Sequence, residues 1–156
     1  MAIAPTLQKY LTTENIAYDE IPHDLTMSSM RTAEAAHISG DRLAKGIVLR
    51  RDNGYMLAVM PASHHLRMSD LKAALGEKVD MANEAEVNEL FSDCANGAVP
   101  AVGKCYGLDL IVDDSIETQP DIYIEAGDHL TLLHLTQAQF ARLTADALHG
   151  RFSARA

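Results

Sequence analysis

The sequence is short of most features that announce a chemistry. It holds two cysteines, Cys94 and Cys105. A zinc site needs more ligands at tighter spacing, so none is expected, and two free thiols are favoured over a disulfide. No run of about 18 apolar residues occurs, which excludes a membrane-spanning helix. The opening MAIAPTLQKY lacks the basic and long apolar stretches of a secretory signal, so a cytoplasmic chain is expected. There is no H-E-x-x-H pair, no G-x-S-x-G elbow and no G-x-x-x-x-G-K-S/T loop. An enzyme built on this chain is therefore expected to work without a covalent intermediate, a metal or a nucleotide cofactor. Positive charge is scarce too: 13 Lys and Arg stand against 22 Asp and Glu, a formal net charge of −9. Such a field repels phosphate at long range and argues against broad nucleic-acid binding, DNA included. Internal repeats, low-complexity tracts and linkers are also missing.

What remains describes one domain over residues 1–156, with 47% hydrophobic residues for its core. Pro5 and the spacing of Leu7, Tyr10 and Leu11 predict a helix over about 5–15. AYDEIP alternates and reads as a strand ended by Pro22. RTAEAAHIS reads as a short helix with Thr32 as its cap and Gly40 closing it. KGIVLRR and YMLAVMP flank an Asp-Asn-Gly turn, the strongest hairpin signal in the chain. SDLKAALG is a helix running from a Ser69 cap to Gly76, and Asn83 caps another in NEAEVNELF. YGLDLIVDDSI, DIYIEAG and HLTLLHL are strand-like, and Thr136 caps a last helix through QAQFARLTADAL. Strands and helices mix without strict alternation. The fold class expected is mixed α+β, a central mixed and partly barrel-like sheet surrounded by helices.

Four sets of residues are candidates for function. Arg31, Arg42, Lys45, Arg50 and Arg51 cluster in one region, and Asp113, Asp114, Glu117, Asp121, Glu125 and Asp128 make a later region acidic. Among the histidines, adjacent His64 and His65 point opposite ways on a strand and do not chelate together. His134 sits in an apolar run and reads as structural. His129, at the Gly-containing turn EAGDH, is the better functional candidate. Lys45 opens the strand KGIVLRR, near a sheet edge by this reading, where a lysine can reach a cleft and meet phosphate. Gly46 beside it permits close approach of a backbone or a ligand. The last set is the uncharged loop NGAVPAVG, residues 96–103. Gly97 and Gly103 can adopt conformations closed to other residues, and Pro100 stiffens the middle. Such a loop either connects two elements or presents backbone groups to a ligand.

The ordered set His23, RTAEAA, Gly40, AKGIVLR, VMPA, GAVPAVG, IVDDSI and EAGDH resembles the YbaK/EbsC-type aminoacyl-tRNA deacylases. These are relatives of the editing domain of bacterial prolyl-tRNA synthetase, and the resemblance spans roughly residues 5–145. It implies hydrolysis of the ester between a mischarged amino acid and the tRNA 3′ end, in trans, with help from the terminal ribose hydroxyl and without a metal. It implies that Lys45 is the essential lysine, and that Gly97, Ala98, Val99, Pro100 and Ala101 form the substrate-positioning loop. Gly46 and His129 would complete the pocket. Partners implied are a mischarged tRNA and an aminoacyl-tRNA synthetase. Two positions depart from the family pattern: Ala101 stands where many members carry proline, and Gly46 where some carry a polar residue.

Two other classes compete with a deacylase of small amino acids. One is a non-catalytic module on the same fold, binding a ligand or a partner protein. The other is a thiol- or metal-dependent hydrolase using Cys94, Cys105 or the histidines.

Overall fold

Residues 3–26 and 28–156 are described by a computed structural model. Along the chain these form α1 (Pro5–Thr13), β1 (Asp19–Pro22), α2 (Ser29–Ala35), β2 (Leu43–Arg51), β3 (Gly54–Pro61), β4 (His64–Leu66), α3 (Met68–Leu75), β5 (Asp80–Met81) and α4 (Glu84–Leu90). A 3-10 turn at Lys104–Tyr106 precedes β6 (Asp109–Asp113), α5 (Asp114–Glu117), β7 (Asp121–Glu125), β8 (Thr131–Thr136), α6 (Gln137–Leu143), β9 (Leu148–Gly150) and β10 (Ser153–Arg155). The mixed α+β class holds. The central sheet is mixed, in the order β1-β8-β7-β2-β3-β6-β9, with β5 also paired to β2 and a separate β4–β10 ribbon.

Period-two alternation places the core on both faces of β3. Leu57 and Val59 join the cluster that α1 covers with Leu7 and Leu11, while Met56, Ala58 and Met60 join Leu49, Leu71, Ile111 and Phe152 on the other side. A strand buried on both faces loses the polar alternation that would mark it as half-exposed. Burying each such large side chain contributes roughly 1.5–3 kcal/mol before entropy is counted.

Local signals held where the capping chemistry is local. Asn83 with Glu86, and Thr136 with Gln139, form complete capping boxes. Gly76 ends α3 in the left-handed region at φ +68°. Other expectations are corrected. Ser28, not Thr32, caps α2 through its hydroxyl, which accepts from the Arg31 amide. Thr32 lies a turn inside, buried, its hydroxyl donating to the Ser28 carbonyl. Gly40 does not close that helix: His37 does, at φ +58°. Ser69 is inside α3, whose N-cap Arg67 makes no side-chain cap. The last helix stops at Leu143, and the chain continues as β9 and β10, which the sequence reading missed.

Gly103 shows why the 96–103 loop needs its second glycine. Its φ is −108°, so conformational freedom is not the reason. A Cβ there would lie 2.5 Å from the Leu108 carbonyl oxygen and 2.9 Å from the Leu110 side chain. Gly103→Ala is expected to cost about 1–3 kcal/mol as the turn shifts to relieve the clash. A urea midpoint equal to wild type would show that the turn yields freely.

Candidate active site

The site begins with an irregularity in β2. Its third residue is Lys45, and β2 lies in the middle of the sheet rather than at the outer edge expected from sequence. One side of β2 pairs with β3 along its whole length. The other side pairs with β7 only at Leu43 and Ala44, and with β5 only at Leu49 and Arg50. The sheet therefore forks, leaving a short internal edge. The Ala62 amide donates to the Leu43 carbonyl (2.8 Å), which makes the odd-numbered residues of β2 the ones hydrogen-bonded to β3. The Gly46 amide and carbonyl consequently face the fork and meet no strand among the described residues. A Cβ at Gly46 would press on the Leu57 side chain at 3.0–3.3 Å, which would have to give by a few tenths of an ångström.

Three segments close around this edge and leave a pocket of about 220 Å³. The start of α2 supplies Ser28, Ser29 and Thr32, the loop supplies Gly97 and Val99, and the β7–β8 turn supplies Glu125 and His129. Leu43, Ala44 and Leu132 give it an apolar side. Lys45 and Gly46 belong to the same wall.

The loop and the turn hold each other. The Ala95 amide donates to the Gly127 carbonyl (2.8 Å), and the His129 ring Nε2 lies 2.6 Å from the Asn96 carbonyl oxygen. Gly97 has φ +80°, a conformation suited to glycine, and a Cβ there would face the His129 ring at 3.8–3.9 Å. His129 itself has φ +62°. The turn is stapled from within. Glu125 Oε2 accepts from the Gly127 and His129 amides, and Asp128 accepts from the Leu130 and Thr131 amides.

Lys45 Nζ donates to the His64 carbonyl (3.1 Å), and burial pushes its pKa below the ordinary lysine value. It makes no ion pair among the described residues. The basic cluster read from sequence is otherwise largely neutralised: Arg42 pairs with Asp121, Arg50 with Glu86, and Arg51 with Glu77 and Asp109. Arg31 and Lys45 alone of that cluster lack a carboxylate among the described residues.

Of the sequence candidates, Lys45, Gly46, Gly97, Val99 and His129 line this pocket. Ala98, Pro100 and Ala101 do not: their side chains are buried in the body of the protein, Ala101 fully. They shape the loop from behind. His134 is away from the pocket, stacked on Tyr123 at 4.4 Å and bonded to Asp121 at 2.6 Å, a structural role as expected. Cys94 and Cys105 are free, and neither lines the pocket. Burial pushes their thiols up to about 12 and about 11, so neither is a ready thiolate. Among the described residues no three His, Cys, Asp or Glu side chains converge as metal ligands, and no helix is long and apolar enough to cross a membrane. Sequence reasoning missed Ser28, Ser29, Thr32 and, above all, Glu125 as pocket residues.

A profile for the aminoacyl-tRNA editing domain matches residues 23–143, which include every strand and loop around the pocket. The chain belongs to this family. No curated protein matches it. Among solved structures it is similar to a candidate trans-editing enzyme for prolyl tRNA synthetase, with TM-score 0.84 and 22% identity over 97% of this chain and 96% of that one. It is also similar to hypothetical protein APE2540, with TM-score 0.81 and 19% identity over 96% and 99% of the two chains. A third neighbour is a candidate signal transduction protein from Marinobacter aquaeolei VT8, with TM-score 0.75 and 20% identity. There the match takes 96% of this chain but 30% of that one. At these identities the likeness to the solved structures shows a shared fold. That fold is the YbaK-like mixed α+β architecture expected from the sequence motifs.

Proposed function

We propose that this protein is a trans-editing deacylase that hydrolyses the ester of a tRNA mischarged with a small amino acid. The observation that carries this reading is the convergence of Lys45, Gly46, Gly97 and His129 on one pocket at the forked edge of β2. In the proposed reaction, water attacks the ester carbonyl, the bond from the acyl carbon to the ribose oxygen breaks, and that oxygen takes a proton. The free amino acid and the uncharged tRNA leave. An aminoacyl ester is already activated, so the protein mainly positions groups and excludes wrong side chains. The ammonium of Lys45 holds the terminal phosphate or ribose. The exposed backbone of Gly46 and of the Gly97 loop meets the aminoacyl group, and the neighbouring ribose hydroxyl helps activate the water. A pocket of about 220 Å³ is below the usual range for drug-sized ligands, which suits a short side chain. Sorting by size in a second pocket is useful because one methylene changes binding by only about 1–3 kcal/mol.

The test is release of free amino acid from a mischarged tRNA, measured with and without EDTA and after iodoacetamide. The rate is expected to be the same in all three conditions. The pocket offers one imidazole and one carboxylate to a metal, and the two thiols are half-buried, with burial pushing both pKa values up. Loss of activity on chelation, restored by zinc, would overturn the metal-free reading.

A further inference from the structure

We propose that Glu125 is a specificity-determining residue that receives the α-ammonium group of the aminoacyl ester, so that the pocket selects free amino esters over N-acylated ones. The inference rests on the deacylase reading above and adds to it a charge requirement on the substrate.

Glu125 is the one carboxylate among the residues lining the pocket. Its two oxygens have different surroundings. Oε2 is saturated by the Gly127 and His129 amides, at 2.9 and 3.2 Å, which fixes the carboxylate in place. Oε1 has no hydrogen-bond partner among the described residues. Lys45 is on the same pocket wall, yet the two charges form no ion pair, so each remains available to a ligand. A bound α-amino ester carries both complementary charges: phosphate on the nucleotide side and ammonium on the amino-acid side. With Lys45 facing the first, Glu125 is the group in reach of the pocket that matches the second. A carboxylate already held by two amides loses little freedom on binding, and its bond to ammonium is charge-assisted. An N-acyl group removes the ammonium charge and adds bulk beside the turn. Acylated esters, peptidyl esters among them, would be spared.

The experiment compares alanyl-tRNA with N-acetyl-alanyl-tRNA as substrates of the wild type and of Glu125→Gln. The glutamine keeps an acceptor oxygen for the two amides and loses the charge. Wild type is expected to hydrolyse the free-amine ester about 100-fold faster, and Glu125→Gln to lose most of that preference, roughly 10- to 100-fold. A purely structural role in the turn would lower both rates alike and leave their ratio unchanged, which would overturn the proposal. A second measurement uses non-hydrolysable 3′-alanylamino-3′-deoxyadenosine and its N-acetyl derivative, with binding followed by calorimetry. The free amine should bind wild type more tightly than Glu125→Gln, and equal affinities would overturn the proposal whether or not any tRNA is cleaved. A wild type that binds the free-amine analogue in preference to the acylated one but hydrolyses neither tRNA would overturn the deacylase reading while supporting the ammonium site.

Discussion

Lys45→Ala is expected to abolish deacylation, a loss of about 100- to 1,000-fold or more, with the fold intact. The expectation has two parts. The ammonium is the one cation lining the pocket, and it is not spent on any carboxylate among the described residues. Removing it takes away the one lysine or arginine charge among the residues that line the pocket. The stability part follows from its burial, which lowers the pKa of Lys45. Folding therefore disfavours the charged form, and the lysine costs the folded state something at neutral pH. For a base with a depressed folded pKa, that cost is fully present below the folded pKa. It is relieved as pH rises from there toward the unfolded value of about 10.4. Lys45→Met, which keeps most of the stem, should accordingly be at least as stable as wild type at pH 7, and the gap should narrow at higher pH. Thermal melts of both variants beside the deacylation rates check this. An inactive Lys45→Met that is clearly less stable would point to a packing role instead.

Gly97→Val is the second large effect. At φ +80° a residue with a Cβ is strained, and a β-branched one more so, by about 1–2 kcal/mol or more. Its extra methyl groups would approach the His129 ring, whose Nε2 is engaged with the Asn96 carbonyl. Loop and turn would both shift, and displacements near 1 Å in a site that works by positioning cost about 100-fold in rate. Gly97→Ala separates the two causes. It carries the backbone strain, but its Cβ meets the histidine at an ordinary contact distance, so it should lose stability with a smaller loss of rate. If Gly97→Val keeps the wild-type rate and only lowers the melting temperature, residues 96–103 are a stiff connector.

Residues such as Asn83, Thr136 and Gly76 were legible in the sequence because their chemistry is satisfied within one turn of chain. The β2–β3 hairpin was legible for the same reason. The position of β2 was not. It lies mid-sheet because β7, some 80 residues later, pairs beside it in parallel, and no local pattern records that pairing. Strands β9 and β10 span three residues each, too short for alternation to register, and exist because partners are at hand. Phe152, buried next to β10, is anchored by its amide to Asp113. Burial opposes the charge on that carboxylate, but bonds from Ser115 and the Phe152 amide outweigh it and hold its pKa below the ordinary value. In sequence Asp113 looked like one more member of an acidic run.

The pocket was legible in part. The ordered motifs brought Lys45, Gly46, Gly97, Val99 and His129 to attention, and they meet. Ala98, Pro100 and Ala101 shared the motif but turn inward, because a loop that exposes one backbone face buries the other. Ala101, one of the two departures from the family pattern noted in the sequence, is fully buried and does not line the pocket. Glu125 was hidden by its neighbours. Its position two residues before Gly127 and four before His129, a carboxylate able to staple the turn it opens, was the signal to read.

The most direct test is a ladder of tRNAs mischarged with glycine, alanine, serine, valine and leucine, each incubated with the wild-type protein while released amino acid is counted. A size-sorting editing pocket at the fork of β2 predicts fast release for the smallest side chains and a steep fall by valine, with Lys45→Ala at background on every substrate. No release from any of them, or equal release from all with Lys45→Ala fully active, would contradict it.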